Sequence, residues 1–434
     1  IMIIGLIFIV FLALLMFGVP IVISLGLTTI FPLLTKVATP YKVDTIIRWA
    51  VQGADSITVI AIPMFILAGA IMSKGGVSKK LFDVFAYFVG KRTAGLPIAT
   101  IMTCLFYGAI SGSGVATAAA VGSMTIPILT GLGYDKLFVA ALVATAGSLG
   151  VIIPPSIPFV MFGSLTQTSV GDIFVAGVIP GILIGVSLMV YAYYYCKKHG
   201  EDKEKINKMV DELHAKGFFR VFKESFWAVL SPVIILGGIY SGIVTPTEAA
   251  TVSVFYSLFI SLFVYKTIKL SDITGLLKTG VSQYAGLVML LALANSFSRM
   301  LTVMQGAQIV SDVVTTYLKS GTILLLGINI LMFILGMFMD TGPAVAILGP
   351  ILVPVAASLG INPVHLAVVM VSNLAIGMVT PPFGMNLFVV SPLIDESSSV
   401  VGNRAIPFII AFTMSLILIT YIPSLSLFMV NAMK

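Results

Sequence analysis

Charge is what this chain has least of. Only 9% of its 434 residues are Asp, Glu, Lys or Arg, where soluble domains carry about 25%, so a water-soluble globular protein is excluded. Cysteine occurs twice, at Cys104 and Cys196, both inside apolar runs, which leaves no disulfide framework and no zinc spacing. Three histidines, His199, His214 and His365, are too scattered to form a metal cluster. Missing too are a GxxxxGK phosphate cradle followed by Ser or Thr, a Ser-x-x-Lys pair and a His-Glu-x-x-His helix. No nucleophile sits beside a base, so the chain reads as no enzyme. Energy for any pumping must come from an ion gradient or a partner chain. Strand-length alternation is absent as well, which argues against a transmembrane barrel.

What is present is apolar. Hydrophobic residues make up 59% of the chain and its mean hydropathy is +1.12. Runs of the ~20 residues needed to cross ~30 Å of hydrocarbon recur along its length, and helices satisfy the backbone there. The class is all-α and polytopic. The net charge of +7 lies between the runs, as at Lys74, Lys79, Lys80, Lys91 and Arg92. Cytoplasmic loops of permeases carry this excess, and no basic stripe interleaved with aromatics suggests nucleic acid. Ile1-Met2-Ile3 opens directly in an apolar run without a basic segment or cleavage site, and reads as a membrane helix with a trimmed start.

One stretch comes back. With a shift of 227 residues, Ser113 to Pro180 lies over Asp340 to Pro407 without a gap, placing Pro154-Pro155 on Pro381-Pro382 and Leu132-Gly133 on Leu359-Gly360. Chance would match Leu and Val but rarely helix breakers, so this is an internal duplication. Paired Gly- and Pro-interrupted apolar segments of this kind point to a transporter's central site.

Taken in order, residues 1–35 predict one span kinked at Gly18-Val19-Pro20, followed by a polar loop with Lys36, Lys42 and Arg48. A second span covers 49–72, and a short helix follows at 79–89. The run from Ala94 to Leu129 is too long for one crossing and breaks at Ser111-Gly112-Ser113-Gly114; its counterpart, 321–357, breaks at Asp340-Thr341-Gly342-Pro343. Each is an unwound crossing or a re-entrant hairpin, and irregular backbone at that depth requires protein or an aqueous cavity around it. Segments 137–151 and 156–168, and 364–379 and 383–394, are parted by consecutive prolines and form two discontinuous helices. Carbonyls freed there suit a hard cation such as Na⁺. Span 173–196 follows. Residues 201–224 form an amphipathic helix, with Ile206, Met209, Val210 and Leu213 opposite Lys203, Glu204, Lys205, Asp211 and Glu212, resting on the membrane surface or serving as a solvated connector. After a crossing at 226–243, Thr245-Pro246-Thr247-Glu248 spells a capping box, which assigns Glu248 to capping over ion binding. Spans 248–265, 280–300 and 405–430 bring the total to roughly eleven crossings.

Polar residues in apolar surroundings carry the remaining information: Ser111, Ser113, Thr117, Asn295, Ser298, Arg299, Asp340, Thr341, Asn373, Thr380 and Asn386. A charge at mid-depth costs about 2.5–3.5 kcal/mol on insertion scales, so Asp340 needs a cation or donors. It reads as a Na⁺-associated acid, as the N-cap of the second half-helix, or as both. Arg299 either binds a substrate anion or snorkels to the interface. The serines of the first break either pack helices closely or touch ligand.

These residues bear a family likeness. GAISGSGVATAAAVGSM at 108–124, the Pro154-Pro155 break, TPTEAA at 245–250, GMFMDTGPA at 336–344 and GMVTPPFGMN at 377–386 resemble the large membrane subunit of a tripartite ATP-independent periplasmic (TRAP) transporter, over nearly the whole chain. The resemblance implies an inverted-repeat fold of the bacterial inner membrane, with two re-entrant hairpins and two broken helices moving as an elevator against a scaffold. It implies Na⁺-driven import of an organic acid, with the sialic acid type the most similar, delivered by a periplasmic substrate-binding protein, and a small four-helix (Q) subunit expected as a separate chain. No cofactor is implied beyond Na⁺ as coupling ion. Carried onto this sequence, the Na⁺ sites fall among Ser111, Gly112, Ser113, Gly147 and Gly150, and among Asp340, Thr341, Gly377, Thr380 and Pro381. Substrate contacts are assigned to Ser111, Ser113, Asn295, Arg299 and Asn386. The expected division is scaffold 1–92, transport repeat 93–172, scaffold 173–279, transport repeat 280–399 and a last helix over 400–434. The rivals are an ion channel, for which charge rings are lacking, and a permease driven by a separate ATPase.

Overall fold

The computed structural model describes residues 2–34, 41–306, 308, 309, 312 and 320–433. Lys36 of the first polar loop lies outside them. All regular structure among the described residues is helical: α1 (Met2–Met16), α2 (Ile21–Leu34), α3 (Val43–Ala54), α4 (Ala61–Lys74), α5 (Val77–Val89), α6 (Gly95–Ser111), α7 (Gly114–Gly131), α8 (Lys136–Gly147), α9 (Ile157–Thr166), α10 (Val170–His199), α11 (Lys203–Ala215), α12 (Phe218–Tyr240), α13 (Pro246–Phe259), α14 (Leu270–Val303), α15 (Gly321–Phe338), α16 (Thr341–Ser358), α17 (Pro363–Gly377), α18 (Met385–Val390), α19 (Ser398–Tyr421) and α20 (Ser424–Ala432).

The two hairpins are α6–α7 and α15–α16, and the broken helices are α8–α9 and α17–α18. Cap chemistry ends them where the sequence predicts. Gly112 closes α6 at φ +62°, and the Ser113 side chain caps α7. Asp135 caps α8 and Asn362, its repeat partner, caps α17. Both Pro-Pro bonds, 154–155 and 381–382, are cis. Within each break the same carbonyl is satisfied by different donors: Ser156 Oγ donates to Val151 O at 2.6 Å, while the Asn386 amide donates to Met378 O at 3.0 Å. The Thr245–Glu248 capping box forms as expected and opens α13.

Several boundaries differ from expectation. Residues 1–35 are not one kinked span but two helices. Gly18 takes φ +76°, Val19 N donates to Leu14 O and Gly18 N to Leu15 O, both at 3.0 Å, a Schellman ending that lets α2 fold back on α1. The span at 49–72 is divided at Asp55-Ser56, so that 57–74 crosses and α3 packs across α14. The amphipathic helix of 201–224 stops at Ala215, where Gly217 at φ +76° ends it, and Phe218 already starts the next crossing. Its apolar residues Ile206, Val210 and Leu213 are buried, and α11 packs against α5. The last span, 405–430, breaks at Ile422-Pro423 into α19 and α20, because the residue before a proline is pushed out of the helical region.

The duplication is wider in space than in sequence. At the same shift, α1 corresponds to the end of α12, α2 to α13, α3 and α4 to α14, and α6 through α10 to α15 through α19. Contacts obey this correspondence. α1 packs on α2 as α12 on α13, and α14 on α2 as α4 on α13. The second arm of each hairpin packs on the second half of the other repeat's broken helix, α7 on α18 and α16 on α9, and the equivalent helices α10 and α19 pack on each other. The first repeat crosses at α1, α2, α4, α8–α9 and α10. That odd number makes the second repeat run inverted. Among the described residues α12, α13, α14, α17–α18 and α19 repeat that order in the second half. Among the described residues nine helical segments are long and apolar enough to span by length and composition, and three of them, α7, α15 and α16, are hairpin arms.

Glycine permits the closest approach in each repeat. A Cβ at Gly108 would lie 2.7 Å from Gly150 Cα, and one at Gly336 would lie 3.0 Å from Gly377 Cα. The first arm of each hairpin thus lies backbone to backbone on its own broken helix.

Candidate functional site

Both hairpin tips face one cavity of about 640 Å³. Ser111, Gly112 and Ser113 line it from the first tip, and Asp340, Thr341 and Gly342 from the second. Its far wall is formed by Ile66, Gly69, Ala70, Ser73 and Lys74 of α4, and by a stripe on α14 at Leu276, Thr279, Gln283 and Leu287.

The first tip is a compact knot of oxygens. Ser111 Oγ lies 2.9 Å from Thr117 Oγ1, which donates to Ser113 O at 2.8 Å. The Ile157 amide donates to Gly112 O at 3.2 Å, which ties the tip to the start of α9. A methyl group at Gly150 would stand 2.4 Å from Thr117 Oγ1 and 2.7 Å from Ser113 O, and one at Gly147 would stand 2.7 Å from Ala118 Cβ. Ser111, Gly112, Ser113, Gly147 and Gly150 therefore come together in space. Thr117, which the sequence places only in the general polar set, is at the centre of them.

At the second tip Asp340 Oδ1 accepts from Thr341 N at 2.7 Å and Thr341 Oγ1 at 3.2 Å, so the carboxylate caps α16 while lining the cavity. It is the one carboxylate among the described lining residues. Gly377, Thr380 and Pro381 do not line the cavity. Gly377 packs on Gly336, Thr380 Oγ1 donates to Ile376 O at 2.9 Å, and Pro381 packs against Gly402. The second tip's arm instead meets the break further on, where the Gly384 amide donates to Met337 O at 3.4 Å and Phe338 lies 5.8 Å from Phe383.

The remaining candidates lie elsewhere. Asn295 Nδ2 donates to Trp49 O at 2.6 Å and clamps α3 to α14, away from the cavity. Arg299 sits exposed on α14 and does not line the cavity. Asn386 is buried, with Nδ2 donating to Ala144 O at 2.9 Å across the repeats. Asn373 Nδ2 donates to Asn329 Oδ1 at 2.6 Å and joins a buried chain that runs through Thr420 to His365 and Ser426. Asn295, Arg299 and Asn386, assigned to substrate contacts from the sequence, thus do not line this cavity. Sequence reasoning missed Lys74, the one cation among the described lining residues, because a lysine closing a span reads as ordinary loop charge.

Outside the membrane core a second polar cluster holds the base of the first hairpin. Glu201, whose side chain is 2% exposed, accepts from the Ala94 amide at 3.0 and 3.1 Å and from Tyr134 Oη at 2.6 Å, and pairs with Lys203 at 2.8 Å. Burial pushes the Tyr134 phenol well above its usual range, and the Glu201 carboxylate beside it adds to that. Tyr134 therefore stays a donor to Glu201 at any physiological pH.

Two inverted repeats that bring hairpin tips and broken helices to one cavity have the architecture of a membrane permease. The sequence matches the family model described as the tripartite ATP-independent periplasmic transporter, DctM component, over residues 8–425. The chain belongs to that family, and is accordingly a multi-pass protein of the inner membrane. It is 40% identical over 411 residues to the isethionate TRAP transporter permease of Oleidesulfovibrio alaskensis, covering 95% of this chain but only 64% of that protein's length. It is 39% identical over 408 residues to the C4-dicarboxylate large permease of Pseudomonas aeruginosa, covering 94% of each chain. With the sialic acid large permease of Vibrio cholerae the identity is 36% over 375 residues, covering 86% of each. Among solved structures, the YdaH transporter of Alcanivorax borkumensis shares the fold, with a TM-score of 0.62, 13% identity and 87% of each chain covered. MtrF of Neisseria gonorrhoeae gives 0.63 at 12% identity, over 88% of this chain and 86% of that one.

Proposed function

We propose that this chain is the permease of a sodium-coupled importer of a small organic acid, fed by a periplasmic substrate-binding protein and completed by a small four-helix (Q) membrane subunit. The observation that carries the reading is the convergence of both hairpin tips on one cavity, with the Asp340 carboxylate and the hydroxyls of Ser111 and Thr341 lining or bordering it. Oxygen ligands of this kind suit a hard cation, and a carboxylate at membrane depth gains from one. Ser111, Gly112, Ser113, Gly147 and Gly150 supply the first candidate Na⁺ site, and Asp340 and Thr341 the second.

Movement is by an elevator step in this reading, and the packing supports a particular moving body. The hairpins and broken helices pack with α10 and α19, while α1–α4 and α12–α14 pack mainly among themselves. On that packing we assign α10 and α19 to the moving body as well, where the sequence reading divides the chain at residue 173. Relatives are named for isethionate, C4-dicarboxylates, sialic acid and 2,3-diketo-L-gulonate, so the substrate class is a small acid, of which sialic acid is one member. The test is uptake into proteoliposomes holding this chain and its small partner, with the binding protein outside and radiolabelled succinate, isethionate and N-acetylneuraminate offered in turn. Uptake of one of them that needs both the binding protein and an inward Na⁺ gradient is expected. Uptake driven by ATP, or by neither gradient nor binding protein, would replace this reading with a pump or a channel.

A further inference from the structure

Among the described residues that line the cavity one is a cation, and it lies on α4, the fixed side in the reading above. Lys74 ends α4, and a Cβ at Gly69, five residues earlier, would stand 3.1 Å from Ser111 Cα at the first hairpin tip. Five helical residues place Lys74 about 7.5 Å beyond that tip. This is the face on which Lys79, Lys80, Lys91, Arg92, Lys203 and Lys266 cluster, the cytoplasmic face by the positive-inside rule. The Lys74 side chain is 49% exposed, so the cavity meets solvent there.

Lys74 is held rather than spent. Its ammonium lies 2.9 Å from Asp272 Oδ1, while the other oxygen of Asp272 accepts the Lys269 amide at 2.9 Å. An ammonium carries three donors, and one faces Asp272, which leaves two for a guest. Asp272 also begins the α14 stripe that continues through Leu276, Thr279 and Gln283 down the cavity wall at spacings of four, three and four residues, so the pair is in register with the wall. An acid that spans from the tips to this pair would place its anionic group on the ammonium and its hydroxyl or carbonyl groups beside Thr279 and Gln283.

We propose that Lys74 is the specificity-determining cation for the substrate's acidic group at the cytoplasmic end of the cavity, with Asp272 as its positioning partner. The assignment rests on the organic-acid reading above. It requires a carboxylate or sulfonate and disfavours the corresponding uncharged amide.

The test uses the reconstituted complex and whichever of succinate, isethionate and N-acetylneuraminate the wild type carries, with the amide of that acid as competitor. Lys74→Gln is expected to raise KM about tenfold, the worth of a half-exposed charged hydrogen bond, with a smaller change in kcat and an unaltered Na⁺ dependence. The preference for acid over amide should shrink by a similar factor, and Lys74→Arg should keep it. Asp272→Asn, which removes the carboxylate that neutralises the ammonium, should enlarge that preference, and it serves as the deciding variant if Lys74→Gln does not fold. Wild-type KM and acid preference in Lys74→Gln, or an unchanged or smaller acid preference in Asp272→Asn, would overturn the assignment while leaving the transporter reading in place. Failure of the wild type to carry any of the three acids would instead overturn both.

Discussion

Gly377→Ala tests whether the backbone contact between hairpin and broken helix holds the site together. A Cβ at position 377 would stand 2.3 Å from Gly336 C, 2.4 Å from Gly336 Cα and 2.7 Å from Gly336 O. Ordinary carbon contact starts near 3.5 Å, so α15 and α17 must part by roughly 1 Å. All three offending atoms are main chain and no side chain can rotate aside. The cost belongs at the upper end of the overpacking range, about 3 kcal/mol. Because α15 carries the second tip, the same movement displaces Asp340. The purified complex should therefore melt about 3 °C lower and lose most of its uptake. Gly237→Ala and Gly286→Ala are the controls: both are helical positions with nothing within 4 Å of the added Cβ, and helix propensity alone should make each neutral or more stable by up to about 1 kcal/mol. A Gly377→Ala complex that melts with those controls would refute the contact as a determinant of the fold.

Three further outcomes follow from the site. Asp340→Ala should abolish Na⁺-dependent uptake at normal yield of purified complex, since the cap it forms on α16 is worth only about 1 kcal/mol; a wild-type rate would end its assignment to the ion. Glu201→Gln should cost about 2 kcal/mol in a thermal melt, because a buried charge accepts from Ala94 and Tyr134, and hydrogen exchange at the Ala94 amide should rise with it. Exposed Arg299 →Ala should leave both apparent substrate affinity and stability within about 0.5 kcal/mol of wild type, and a tenfold loss of affinity would return Arg299 to the transport path.

What could be read from the sequence was whatever is written in local chemistry. Gly112, Pro154-Pro155, Pro381-Pro382 and the Thr245–Glu248 box each impose a backbone event on their own, and each forms as the sequence indicates. Whether a break is one kink or two helices depends on what surrounds it. Residues 43–74 and 270–303 occupy equivalent places in the two repeats, yet the first is cut at Asp55-Ser56 and the second runs unbroken. Nothing in the polarity of Ser282-Gln283 foretells that difference. The duplication was visible only between 113 and 180 because the broken helices keep their Gly and Pro punctuation, whereas α1, α2 and α4 match α12, α13 and α14 only in position and packing.

The site divides along the same line. Ser111, Ser113 and Asp340 were identifiable because a polar residue at a helix break within a membrane must face protein or water. Asn295 and Arg299 were not placeable, because a polar residue inside a long helix is located by phase and depth, and both need the partner helices. Taking Leu287 as the last residue of the α14 stripe, Arg299 lies twelve residues further on, about 18 Å along the axis and about 120° around it. Asn295 is about 12 Å along and about 80° around, turned toward Trp49. Neither position lines the cavity. Lys74 has the opposite history. Its residue type and place in the sequence are those of any lysine that closes a span, and only the stripe on α14 and the Asp272 carboxylate opposite show that it closes a cavity as well.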